Sequence, residues 1–178
     1  MDMKIYCVPH DGKNGSETVY KLLEHAFRTE YGAALPEIKK TPSGKPFFPL
    51  RPDVHFSLSH SKTHVLCAVS RAPVGVDIEA PRRISERAVK YFCSPEELRL
   101  FDPLDLWVLK ESYIKLVGLT LPAVKTLRFS RQGDTIIAPD ESAASKLYSI
   151  GDCRAAVSTF GGELPESVAL FDRSLVSL

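Results

Sequence analysis

The sequence predicts an α+β protein made of two similar lobes, each a helix packed on an antiparallel sheet. Three observations predict it. Both halves open on a strand, pass into helix and close on further strand candidates. The segment LCAVS in the first half is echoed by RAAVS in the second, which supports an internal duplication. No low-complexity tract or obvious linker separates the halves, so lobes 1–73 and 74–178 are expected to form one unit.

The elements follow in order. KIYCVP reads as the first strand, and Ser16 is placed to cap a helix from Glu17 to Tyr31 whose Val19, Leu22, Leu23, Ala26 and Phe27 share one side. The Gly- and Pro-rich stretch from Gly32 to Asp53 is expected to be loop. VHFSLS and HVLCAVS are strands joined by a short polar link. A further strand covers 74–80, and a helix runs near Ser85 to Phe92. Ser94 and Pro95 carry the signals of another helix start, and a longer helix occupies Pro103 to Val117. TLRFS, TIIAP, KLYSI, RAAVST and SVALFD are the closing strands.

Composition narrows the function. A chain of 178 residues with 44% hydrophobic and 25% charged content is ordinary for a globular protein. Its formal net charge of +1 provides no broad basic field, so neither nucleic acid nor a membrane surface is expected as partner. No apolar run has the ~18 residues of a membrane span, and the N-terminal segment lacks the regions of a signal peptide. A cytoplasmic monomer is expected. Cys7, Cys67, Cys93 and Cys153 are dispersed beside apolar runs, as buried reduced thiols would be.

Four stretches carry chemistry. In VGVDIEAP, strand alternation puts Val74, Val76, Ile78 and Ala80 on one face and Gly75, Asp77 and Glu79 on the other. A strand with one wet face would show the same pattern. The helix LWVLKESYIKLVG places Trp107, Glu111 and Lys115 in one column at i, i+4 and i+8. Because this helix is apolar nearly all round, its charged groups need a polar cavity or partners. FSLSHS brings Ser59, His60 and Ser61 to a strand end, suited to an oxyanion. GKP holds Lys45 in a loop between a permissive Gly and a rigid Pro.

In this order and spacing, GKP, FSLSHS, VGVDIE and WVLKESYIKLVG resemble the signature segments of the 4′-phosphopantetheinyl transferase superfamily, in its longer, pseudo-dimeric surfactin-type branch. The resemblance spans about residues 44–122. It implies transfer of the 4′-phosphopantetheine arm of coenzyme A to a serine of an apo acyl or peptidyl carrier protein, with release of 3′,5′-ADP. The carriers of such enzymes serve fatty acid, polyketide or nonribosomal peptide synthesis. It further implies Asp77, Glu79 and Glu111 as magnesium ligands, and Glu111 and Lys115 as the catalytic pair. Lys45, Pro46, Ser59, His60 and Lys110 are the implied coenzyme A contacts. Magnesium suits such oxygen ligands because it keeps places for phosphates and water.

Two departures stand out. Surfactin-type relatives hold the 3′-phosphate with an N-terminal basic segment and an arginine near the head of the first long helix. Here that helix opens GSETVYKLLEHAFR, which leaves Lys13, Lys21 and Arg28 as candidate replacements. The turn after the lysine, KLVGLTLP, has a single glycine. For the partner, Arg83, Arg87 and Lys90 fall at i, i+4 and i+7, a basic strip expected to meet an acidic carrier. Two rival readings accompany this one. An RNase H-like metal-dependent phosphoesterase shares a VGVDIE-like first strand but needs further strand-end carboxylates, and a non-catalytic carrier-binding relative needs no complete metal-and-lysine set.

Overall fold

A computed structural model describes residues 2–176 of the chain, so the terminal residues of the two ranges 1–73 and 74–178 lie outside the described residues. The first half contributes β1 (Lys4–Pro9), α1 (Gly15–Tyr31), β2 (Lys39–Lys40), β3 (Pro46–Phe47), β4 (His55–His60) and β5 (His64–Ser70). The second contributes β6 (Val74–Glu79), α2 (Glu86–Phe92), α3 (Pro103–Val117), β7 (Ser130–Gln132), β8 (Thr135–Ile137), β9 (Ala143–Ile150), β10 (Cys153–Phe160) and β11 (Ala169–Leu170). This is an α+β fold with antiparallel sheets. The first sheet has the order β11-β1-β5-β4 and the second β6-β10-β9-β8-β7. Among the described residues only β11 runs parallel to its neighbour, with Tyr6 opposite Ala169, so Ala169 and Leu170 return to the first sheet.

Alternation along the strands explains the layers. Val65, Cys67 and Val69 of β5 face α1, whose Leu22, Leu23, Ala26 and Phe27 are fully buried there. Leu66 and Ala68 point the other way and meet Val74, Val76 and Ile78 of β6 in a core shared by both sheets. The opposite face of β6, with Gly75, lies under α3. A Cβ on Gly75 would stand 2.0 Å from the Ser112 carbonyl oxygen and 2.4 Å from the Leu116 nitrogen. Only glycine admits the helix backbone so close. That approach carries Glu111 and Lys115 to Asp77.

The edge strands β4 and β6 adjoin, and serine side chains bridge them. The Val76 N–H donates to Ser57 Oγ at 3.0 Å, and the Ile78 N–H donates to Ser59 Oγ at 3.3 Å. These hydroxyls take the acceptor role that carbonyls hold in an ordinary ladder.

Several expectations change in detail. The first long helix begins at Gly15 from Asn14 in a left-handed conformation with no side-chain cap, rather than from Ser16. The His60 ring presses on this start, 3.0 Å from where a Cβ on Gly15 would lie. Ser94 does form a reciprocal cap with Glu97, but the helix it opens is a single 3-10 turn, Glu97–Arg99. Only Ser130 of TLRFS is paired, because Leu127 and Phe129 are spent on the core under α3. The loop from Gly32 to Asp53 contains the small β2–β3 hairpin. The four cysteines are free thiols, and burial pushes Cys7 up to about 12.

Candidate active site

The site forms where β4, β6 and α3 meet. Asp77 projects from β6 toward α3 and is 5% exposed. Its Oδ1 accepts from Lys115 Nζ at 2.7 Å and from Ser59 Oγ at 2.7 Å, and Lys115 Nζ is 3.0 Å from Ser59 Oγ. Ser59 therefore accepts from Ile78 and Lys115 while donating to Asp77, which uses its whole hydroxyl. Two residues along, Glu79 Oε1 accepts from Trp107 Nε1 at 3.0 Å and from Arg82 at 3.2 Å. Glu111 enters from α3. Burial, together with the charges of Asp77 and Glu79, pushes its carboxyl up to about 7 against the opposing pull of Lys115.

Two buried oxygens here have no hydrogen-bond partner, Asp77 Oδ2 and Glu111 Oε1. Orphaned carboxylate oxygens in an acidic cluster are what a hard, oxygen-seeking divalent cation would satisfy. Among the described residues, however, no group of three or more His, Cys, Asp or Glu side chains stands close enough together to hold a metal ion. Lys115 draws one oxygen of Asp77, while Arg82 and Trp107 draw one oxygen of Glu79. The donor chemistry fits magnesium, with Asp77 Oδ2 and Glu111 Oε1 left open for it.

Lys45 and Pro46 reach the same region. With Lys115, Ser57, Gly118 and Leu119 they line a cavity of about 220 Å³ between the β2–β3 hairpin and the end of α3. Lys45 Nζ donates to the Leu116 carbonyl at 2.6 Å, which satisfies one of the open C-terminal groups of α3. His60 lies at the exposed end of β4, with Nε2 3.4 Å from Ser16 Oγ at the head of α1. A larger hollow of about 690 Å³ lies against β7–β9 and includes none of the residues singled out in the sequence.

Lys110 is not at this site. It is fully buried on the far side of α3, where Nζ pairs with Glu97 Oε2 at 3.0 Å and donates to the carbonyls of Phe92 and Val124. The family resemblance implied a ligand contact for it, but successive residues on a helix point about a quarter-turn or more apart, and Lys110 faces away from Glu111. The basic strip also changes. Arg83, Arg87 and Lys90 are all exposed, yet α2 begins at Glu86, so Arg83 precedes the helix and shares no helical face with the other two. Of the candidate phosphate contacts on α1, Lys21 is paired with Glu17 and Arg28 with Glu24, while Lys13 is exposed in the preceding loop. Sequence reasoning overlooked Arg82 and Ser57. The i, i+3 spacing of Glu79 and Arg82 was a usable signal, whereas nothing local marks Ser57 as a bridge between sheets.

Comparison with known proteins agrees with this arrangement. The sequence pattern of the 4′-phosphopantetheinyl transferase superfamily matches residues 73–152. A 4′-phosphopantetheinyl transferase of Bacillus subtilis is 41% identical over 91 residues, 44% of this chain and 41% of that protein. The 4′-phosphopantetheinyl transferase Sfp of Bacillus subtilis strain 168 is 33% identical over 144 residues, 71% of this chain and 64% of its own. The 4′-phosphopantetheinyl transferase gsp of Aneurinibacillus migulanus is 41% identical over 93 residues, 45% and 37% of the two chains. The chain thus spans about half the length of the curated relatives it matches. These likenesses do not favour the phosphoesterase alternative.

Proposed function

We propose that this chain, which belongs to the 4′-phosphopantetheinyl transferase superfamily in its surfactin-type branch, transfers the 4′-phosphopantetheine arm of coenzyme A to a serine of an apo acyl or peptidyl carrier protein. The observation that carries the reading is the meeting of Asp77, Glu111 and Lys115 at the seam between the sheets, beside the Lys45–Pro46 cavity. In the reaction the serine oxygen attacks the β-phosphorus of coenzyme A. A new phosphodiester forms, and the bond to 3′,5′-ADP breaks.

Asp77, Glu79 and Glu111 would hold magnesium, which supplies charge neutralisation at the pyrophosphate. Glu111, beside Asp77 and Lys115, takes the serine proton as the new bond forms. Lys115 donates to the phosphate oxygen that carries charge as 3′,5′-ADP departs. Ser59 holds Asp77 and Lys115 in place, and His60 at the open strand end receives a phosphate of the nucleotide. The Lys45–Pro46 cavity receives the adenine end. Lys110 has no part in binding, since its ammonium is enclosed with Glu97. Arg83, Arg87 and Lys90 form a basic surface for an acidic carrier. The lobes 1–73 and 74–178 act as one cytoplasmic monomer, and among the described residues no helix is long and apolar enough to cross a membrane.

The test is incubation with coenzyme A, magnesium and a panel of apo carrier proteins, followed by intact-protein mass. The expected result is a carrier heavier by one phosphopantetheine, with 3′,5′-ADP released in equal amount. A chain that neither modifies any carrier nor binds coenzyme A overturns the reading.

A further inference from the structure

The last turn of α3 is held from two sides. The Leu116 N–H and the Ser112 carbonyl face Gly75 of β6, and the Leu116 carbonyl accepts from Lys45 Nζ at 2.6 Å. Burial lowers the pKa of this half-buried lysine, and among the described residues no carboxylate pairs with it, so its charge is set against the negative end of the helix. The hairpin that carries Lys45 is stiff. The Thr41 N–H donates to the Lys45 carbonyl at 2.9 Å, the Lys45 N–H donates to Thr41 Oγ1 at 3.1 Å, and Gly44 takes a left-handed turn with φ 88°. Just beyond it, buried Phe48 packs edge-on against Phe27 of α1 and against Phe56 of β4, which fastens the hairpin to the first core. On its other side the hairpin rests on the end of α3, where a Cβ on Gly118 would stand 3.5 Å from Ser43 Oγ and 3.9 Å from Lys45 Cδ.

We infer that Lys45 is a positioning residue: its ammonium ties the first half of the chain to the turn of α3 that carries Lys115, and it acts on phosphoryl transfer by fixing that turn rather than by contacting the nucleotide. The inference rests on the transferase reading and reassigns one group within it. Pro46 and the hairpin backbone still wall the cavity, while the ammonium is engaged by the helix. Without the tie the Leu116 carbonyl loses its charged donor, the turn loosens, and Lys115 is held less firmly over the reacting phosphate.

Lys45→Met keeps the stem and removes the ammonium. Amide hydrogen exchange of the metal-free protein is read at Gly118 and Leu119, whose N–H groups bond the Ile114 carbonyl, and should quicken about tenfold in this variant. With coenzyme A, magnesium and an apo carrier, kcat should fall about tenfold while the KM and Kd for coenzyme A stay within about twofold. Lys45→Arg, whose guanidinium reaches the same carbonyl, should restore most of both. In a Lys115→Met background, Lys45→Met should cost less than about twofold more, because the residue through which it acts is gone. Should Lys45→Met not fold, Lys45→Gln takes its place, with a polar group too short for the carbonyl. A rise in KM and Kd with kcat unchanged makes Lys45 a nucleotide ligand and overturns the inference. So does unchanged exchange at Gly118 and Leu119, or losses that multiply in the double variant. Failure of the wild-type chain to bind coenzyme A overturns the transferase reading and the part of Lys45 in it, while the exchange still decides the tie.

Discussion

Glu111 shows how a residue acquires its chemistry from its neighbours. In water its carboxyl would ionise with other glutamates; on α3 it is half-buried, and desolvation together with the charges of Asp77 and Glu79 raises it to about 7. Between its ordinary value of 4.5 and about 7 the folded protein holds a proton that the unfolded chain releases. Stability of the metal-free protein should therefore fall as pH rises through that window, because the unfolded state binds fewer protons there. Glu111→Gln removes the titration and should flatten this part of the profile. Melting temperatures in chelator at about pH 5 and about pH 8 compare the two proteins. An equal fall in both would assign the slope to another group.

At the scale of elements, α3 is placed by what lies on its two sides. Toward β6, Gly75 admits the helix backbone; Gly75→Ala would set a methyl 2.0 Å from a carbonyl that has no flexible side chain to yield. Helix and strand must separate, at a cost of about 3 kcal/mol or more, and Glu111 is carried away from Asp77. Denaturant unfolding together with magnesium binding should show both losses. A variant of wild-type stability would mean that the strand bends at no cost.

Away from β6, Lys110 and Glu97 form a buried pair that gathers the end of α2, the 3-10 turn and the segment leading to β7. Glu97 accepts from the Ser94 and Phe129 amides while Lys110 donates to the Phe92 and Val124 carbonyls. Lys110→Met leaves a carboxylate enclosed without its cation and should cost about 3–5 kcal/mol. Coenzyme A affinity, measured at a temperature where the variant is folded, should be unchanged. A selective loss of that affinity would return Lys110 to the ligand.

Across the whole molecule, the two sheets share one core yet join edge to edge through Ser57 and Ser59. The site lies on that seam, so its geometry depends on how the halves are held. Partner binding belongs to the same scale. Arg83, Arg87 and Lys90 are exposed around the start and body of α2, on a chain whose net charge is only +1. Local charge of this kind acts mainly on encounter. Arg83→Glu combined with Arg87→Glu should raise the apparent KM for an acidic carrier about tenfold at low salt and weaken its salt dependence. The KM for coenzyme A should hold. Carrier kinetics that do not change would assign docking to another surface.

The sequence alone determined those elements whose signals are local. The bounds of β1, β5 and α3 agree with their hydrophobic patterns because strand and helix periods are written in consecutive residues. It also determined that Asp77 and Glu79 share a strand face and that Glu111 and Lys115 share a helix column. Tertiary structure decided what each of these groups meets. Lys115 pairs with Asp77 across 38 positions, Ser59 joins them from a third element, and Lys110, beside Glu111 in sequence, is enclosed with Glu97. Both faces of β6 are covered, so its alternation records two different neighbours, a shared core and α3. Periodicity states which side chains point together. Which partner lies opposite depends on long-range packing, and the charge and proton affinity of the site follow from that partner.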